Sequence, residues 1–78
     1  INEAFAVVPM AAAHALDIAE DRLNTRGGAC ALGHPIGASG ARIIVTLLNA
    51  MEPEEAQHGG AALRIGGGEG TAVTLQRP

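Results

Sequence analysis

Hydrophobic positions recur twice along this chain at helical spacing and once, near its end, in strand alternation. Phe5, Val8, Ala12 and Ala15 or Leu16 give an apolar face with helical period, which predicts a helix over residues 2–17. Asn2 is its expected N-cap, and Glu3 suits the first turn. Pro9 lies inside the stretch, so the regular helix either starts near Pro9 or is kinked there. Residues 17–24 (DIAEDRLN) are polar and read as a connector with a short strand at its end. The clearest helix is residues 38–51, ASGARIIVTLLNAM, with Ser39 or Gly37 as cap. Beyond its first turn the only polar side chains are Arg42, Thr46 and Asn49, which fall in one narrow stripe. A helix apolar nearly all round is expected to be buried.

Residues 52–57 (EPEEAQ) read as a solvated acidic turn or helix end. Residues 61–65 (AALRI) predict a strand with Ala61, Leu63 and Ile65 on one face and Ala62 and Arg64 on the other. Glycines break it at residues 66–70, and residues 71–75 (TAVTL) predict a second strand, paired with the first as an antiparallel hairpin. The expected class is α/β, in the order helix, strand, helix, strand, strand.

Composition changes this picture in one respect. The chain has 78 residues and is 47% hydrophobic, yet Phe5 is its single aromatic. It has apolar surface to bury and little bulk to bury it with, and so short a chain buries a small fraction of its surface. One cysteine, Cys30, excludes an internal disulfide. The nearly all-apolar helix needs more wrapping than this chain supplies. The expectation is a segment, starting at an Ile1 that is not a natural start, whose core is completed by further chain. No signal-peptide pattern and no membrane-length apolar run is present. The free cysteine suits a reducing compartment, which points to the cytoplasm. A net charge of −3 with no lysine argues against nucleic acid as a partner.

All 11 glycines lie between Gly27 and Gly40 or between Gly59 and Gly70, so two loops need unusual backbone freedom or close approach. The first, GGACALGHPIGASG, holds His34 before Pro35, which biases His34 away from helical backbone. An imidazole on a stiff turn before a buried helix is suited to proton transfer; a loop histidine that only caps the helix is the plain alternative. Cys30 is four residues before His34, but a thiol–imidazole pair needs hydrogen-bond reach, and a small buried cysteine is the commoner case. GGGEG fails the phosphate-loop pattern for want of a lysine; a tight hairpin or a backbone anion site stays open. Cys30, His14, His34 and His58 have no metal-ligand spacing, so no metal is expected.

Taken together, NEAFA at residues 2–6, GGACALGHPIGASGAR at residues 27–42 and RIGGGEG at residues 64–70 resemble the C-terminal end of a thiolase, in family order and across nearly the whole chain. The resemblance implies part of a thiolase C-terminal domain, in a layered αβαβα sandwich whose central helices are buried between sheets. It implies acyl transfer on acyl-CoA thioesters, by 3-ketoacyl-CoA thiolysis or acetyl-CoA condensation. Coenzyme A enters as substrate and no cofactor is permanently bound.

By the same resemblance, His34 takes the proton of the nucleophilic cysteine and helps bind the thioester oxygen. Asn2 holds a water in that oxyanion hole, and the Gly66 N–H serves a second one. Phe5 is a candidate contact for coenzyme A. A missing N-terminal domain and a homo-oligomer, dimer or tetramer, are the implied partners. Two departures stand out. The nucleophilic cysteine belongs to the absent N-terminal half, and Cys30 occupies a usually aliphatic position. Arg64 stands where the family has its second, acid/base cysteine, and arginine cannot abstract a proton. A non-catalytic, thiolase-like acyl-CoA binding or assembly protein is therefore the alternative.

Overall fold

The computed structural model describes residues 1–78. It contains α1 (Val7–Leu16), a single 3-10 turn (Glu20–Arg22), α2 (Ala29–Leu32), α3 (Ser39–Met51), β1 (His58–Arg64) and β2 (Gly70–Gln76). The strands form an antiparallel hairpin in which Ala61 pairs with Val73 and Arg64 with Gly70. The turn closes through Ile65 N–H to the Glu69 carbonyl (2.7 Å) and Gly68 N–H to the Ile65 carbonyl (2.9 Å). The hairpin and the helix before it therefore follow the hydrophobic pattern. α3 packs on the β1 face that carries Gly59, Ala61 and Leu63: Leu47 and Met51 reach Gly59, and Leu63 reaches Gly40. Ala61 and Met51 are buried there.

Three expectations are corrected. The first helix begins at Val7, so Asn2 is not its cap and Glu3 is not in its first turn. Pro9 then falls in the opening turn, where a missing N–H leaves no helical bond broken. No strand closes the connector; extended pairing is limited to one isolated bridge between Thr25 and Gly27. The 3-10 turn Glu20–Arg22 occupies the middle of the connector, and left-handed backbone at Asp17 (φ 53°) and Asn24 (φ 48°) bounds it. Finally, Ser39 occupies the first helical position of α3 after Ala38, and no side chain caps that helix.

The hydrophobic faces are only partly covered. On α3, Val45 is 57% and Leu48 51% exposed, and Ile36 in the preceding loop is 84% exposed. On and beside α1, Phe5, Val7, Met10 and Leu16 are exposed as well. The burial expected for α3 is thus not achieved within these 78 residues, because the two-stranded sheet covers one side of it. No helix is long and apolar enough to cross a membrane.

Covering a Val or Leu side chain is worth about 1.5–3 kcal/mol. Replacing Val45 and Leu48 together by Lys is expected to raise the soluble yield of the isolated chain without loss of its circular-dichroism helicity. In a longer chain that covers this face, the same double substitution is expected to lower Tm by several degrees. An unchanged Tm there would show that α3 remains uncovered.

Candidate functional site

The site forms where the N-terminal segment crosses the first glycine-rich loop. Asn2 is 5% exposed and is fixed by its backbone, its N–H donating to the Ala62 carbonyl of β1 (3.0 Å). Its side chain lies against His34, with Nδ2 3.4 Å from the ring Nδ1. The same Nδ1 is 2.7 Å from Ser39 Oγ, and Ser39 is fully buried. Ser39 Oγ donates in turn to the Pro35 carbonyl (3.2 Å), which also accepts the Ala38 and Ser39 N–H groups (2.8 and 2.9 Å). Pro35 thus folds the loop back on itself and brings the fifth residue after His34 under the ring. His34 Nε2 makes no hydrogen bond, and the residue is exposed.

The next residue holds the beginning of the loop. The Glu3 carboxylate accepts from Asn24 Nδ2 (2.9 Å) and from the Cys30 N–H (3.2 Å). Asn24 Nδ2 also donates to the Ile1 carbonyl (2.8 Å). A Cβ on Gly28 would lie 2.5 Å from the Glu3 carboxyl carbon, so only glycine lets the carboxylate approach this backbone. At the other end of α2, Gly33 has φ 93°, a left-handed turn that delivers the chain into His34. The hydrogen bond from Asn24, followed by the bonds from Cys30, holds the Glu3 carboxyl below the usual carboxylate range.

Cys30 is exposed rather than buried, and it does not reach His34. Its thiol points to the Glu3 carbonyl (3.8 Å). Desolvation, and then the Glu3 side chain, push its pKa up, which lowers the thiolate fraction at neutral pH. The thiol–imidazole pair is therefore not formed. Arg64 ends β1 with an exposed side chain, and Gly66 lies in the hairpin turn. The Gly66 N–H takes no part in the turn bonds, which run from Ile65 and Gly68. No hydrogen bond joins Arg64 or Gly66 to His34. Phe5 is 71% exposed beside the start of α1.

The structure thus brings Asn2 and His34 together and leaves Arg64, Gly66 and Phe5 as exposed positions with no hydrogen bond to the pair. Residue type suits Ser39 or Gly37 to helix capping and Glu3 to a helical first turn; Ser39 and Glu3 instead hold the loop. The proline one residue after His34, followed four residues later by serine, is the local signal for Ser39. Nothing local signals the contacts of Glu3, which span 21 and 27 residues.

Residues 1–77 match the family described as Thiolase, C-terminal domain. The chain is 53% identical to a probable acetyl-CoA acetyltransferase of Dictyostelium discoideum over 99% of this chain and 19% of that protein. It is 54% identical to the cytosolic acetyl-CoA acetyltransferase of Rattus norvegicus over the same shares. Against a 3-ketoacyl-CoA thiolase of Vibrio vulnificus the identity is 47%, over 100% of this chain and 21% of that protein. The chain therefore spans about a fifth of the length of these curated relatives.

Two outcomes follow from this geometry. The Glu3 contacts should contribute stability above the ordinary glutamate range and lose it as pH falls through the lower folded value. Glu3→Ala is accordingly expected to lower Tm at pH 7 and to cost progressively less below about pH 4; a penalty that persists at pH 2 would contradict the assignment. Cys30 should react with iodoacetamide at pH 7.5 more slowly than free cysteine, as followed by mass spectrometry.

Proposed function

Since the chain belongs to the thiolase family through its C-terminal domain, we propose that it supplies His34, Asn2 and Gly66 to an acyl-transfer site acting on acyl-CoA thioesters. The nucleophilic cysteine would come from the N-terminal portion of a longer chain. The observation that supports this reading best is the buried Asn2 amide against the His34 ring at 3.4 Å, from segments 32 residues apart.

In this reading Nε2 of His34 receives the thiol proton of the nucleophilic cysteine. The thiolate adds to the thioester carbonyl, whose oxygen gains negative charge. Backbone and side-chain donors already in place favour that charge, because no group has to reorganise as it develops. The free Gly66 N–H suits this role. When the carbon–sulfur bond to coenzyme A breaks, the departing thiolate takes the proton back from His34 and an acyl-cysteine remains. Exposed Phe5 would contact coenzyme A, which is a substrate and not a resident cofactor. The uncovered apolar faces suit further chain and assembly into a homo-oligomer. A cytoplasmic location accords with the free cysteine.

Thioester exchange needs only this one proton carrier. Making or breaking the carbon–carbon bond needs a second, to move the proton at the α-carbon. Arg64 stands at the position of that carrier, and a guanidinium stays charged at any working pH. Arg64 therefore favours a second reading, a non-catalytic acyl-CoA binding or assembly protein.

Substitution in a longer chain that joins residues 1–78 to an N-terminal thiolase portion separates the readings. His34→Ala is expected to lower kcat for acyl exchange by about 100- to 10,000-fold. Arg64→Cys is expected to raise acetyl-CoA condensation strongly. No gain from Arg64→Cys, with acyl exchange absent in the parent, would favour the binding protein. The isolated 78 residues are expected to show no thiolysis; measurable turnover would end the claim that the nucleophile lies elsewhere.

A further inference from the structure

We propose that Ser39 is a positioning residue: its hydroxyl accepts the Nδ1–H of His34 and so holds the imidazole in the tautomer whose Nε2 is bare. The inference rests on the acyl-transfer reading for its use, but its geometry stands apart from it.

A neutral imidazole carries one N–H and one lone pair in its plane. Two groups compete for Nδ1 here: Ser39 Oγ at 2.7 Å and Asn2 Nδ2 at 3.4 Å. They cannot both donate to the same lone pair. If Nδ1 carries the hydrogen, both contacts of Ser39 Oγ are used once, and the longer Asn2 contact is the one given up. Nδ1–H donates to Ser39 Oγ, and Ser39 Oγ–H donates to the Pro35 carbonyl at 3.2 Å. In the opposite arrangement the single hydroxyl hydrogen turns to Nδ1, and the Pro35 contact holds no hydrogen. Ser39 is fully buried, so its hydroxyl has only the His34 Nδ1 and the Pro35 carbonyl as partners, and only the first arrangement uses both at once.

The protonation cycle favours the same assignment. A base that receives a proton at Nε2 becomes an imidazolium with hydrogens on both nitrogens. With Nδ1–H already donating to Ser39, the second proton arrives without any hydroxyl having to rotate. With the hydroxyl donating to Nδ1, Nε2 would already carry a hydrogen and could not act as the base. The Asn2 amide is then a neighbour of Nδ1 and not its donor. Its Oδ1, buried with no partner, remains free to accept.

The test uses the longer chain that joins residues 1–78 to an N-terminal thiolase portion, with nitrogen-15 histidine labelling. In the unsubstituted protein at a pH where the ring is neutral, the side-chain spectrum of His34 is expected to show hydrogen on Nδ1. A ring protonated on Nε2 alone would overturn the proposal, and this readout needs neither a variant nor activity. Ser39→Ala is expected to give mixed tautomers and to lower kcat for acyl exchange about 10- to 100-fold, a part of what a positioned base supplies. KM should stay within about twofold. Ser39→Thr, which keeps the hydroxyl, should restore the Nδ1–H signal and most of kcat. A Ser39→Ala protein that folds with unchanged tautomer and kcat would overturn the proposal. A parent that lacks acyl exchange would remove the acyl-transfer reading, while the spectrum would still decide the tautomer.

Discussion

The hydrogen bond from the Asn2 N–H to the Ala62 carbonyl fixes the frame on which the site is built. It ties the N-terminal segment to the strand that α3 packs on. From that anchor the next two side chains reach the glycine-rich loop at opposite ends. Asn2 meets His34, and Glu3 meets Asn24 and Cys30. The loop has little apolar bulk of its own, so polar contacts hold its shape, helped by glycines at Gly28 and Gly33. Moving Asn2 off β1 would release both ends together.

This polar frame coexists with apolar surface that stays open. α3 buries its β1-facing side and exposes Val45 and Leu48. The chain spans about a fifth of the length of its relatives. The imidazole is likewise half provided for. Nδ1 is engaged by a buried serine, while Nε2 makes no hydrogen bond within these 78 residues.

Local periodicity made part of the structure legible. α3 and the hairpin follow from the spacing of Ile, Val and Leu, and the bend at His34 follows from the glycines of its loop and from Pro35. The first helix was misplaced because Asn2 and Glu3 are good helix-start residues by type, yet their contacts lie across the chain. The expected connector strand failed because Asn24 takes left-handed backbone and turns its amide to Ile1 and Glu3. Both errors have one origin: the Asn2 N–H and the Glu3 carboxylate bond to long-range partners that no local window contains. Only the family resemblance relates Asn2 to His34; spacing alone leaves His34 open to a capping role.

The central claim is that a fixed loop presents Nε2 of His34 to a cysteine supplied by further chain. A crystal structure of residues 1–78 joined to an N-terminal thiolase portion, before acylation, measures this directly. His34 Nε2 should lie within hydrogen-bond reach of a cysteine sulfur, about 3–3.5 Å, with Asn2 still on the Nδ1 side of the ring. A nearest cysteine sulfur beyond roughly 6 Å, too far even for one bridging water, would contradict the account.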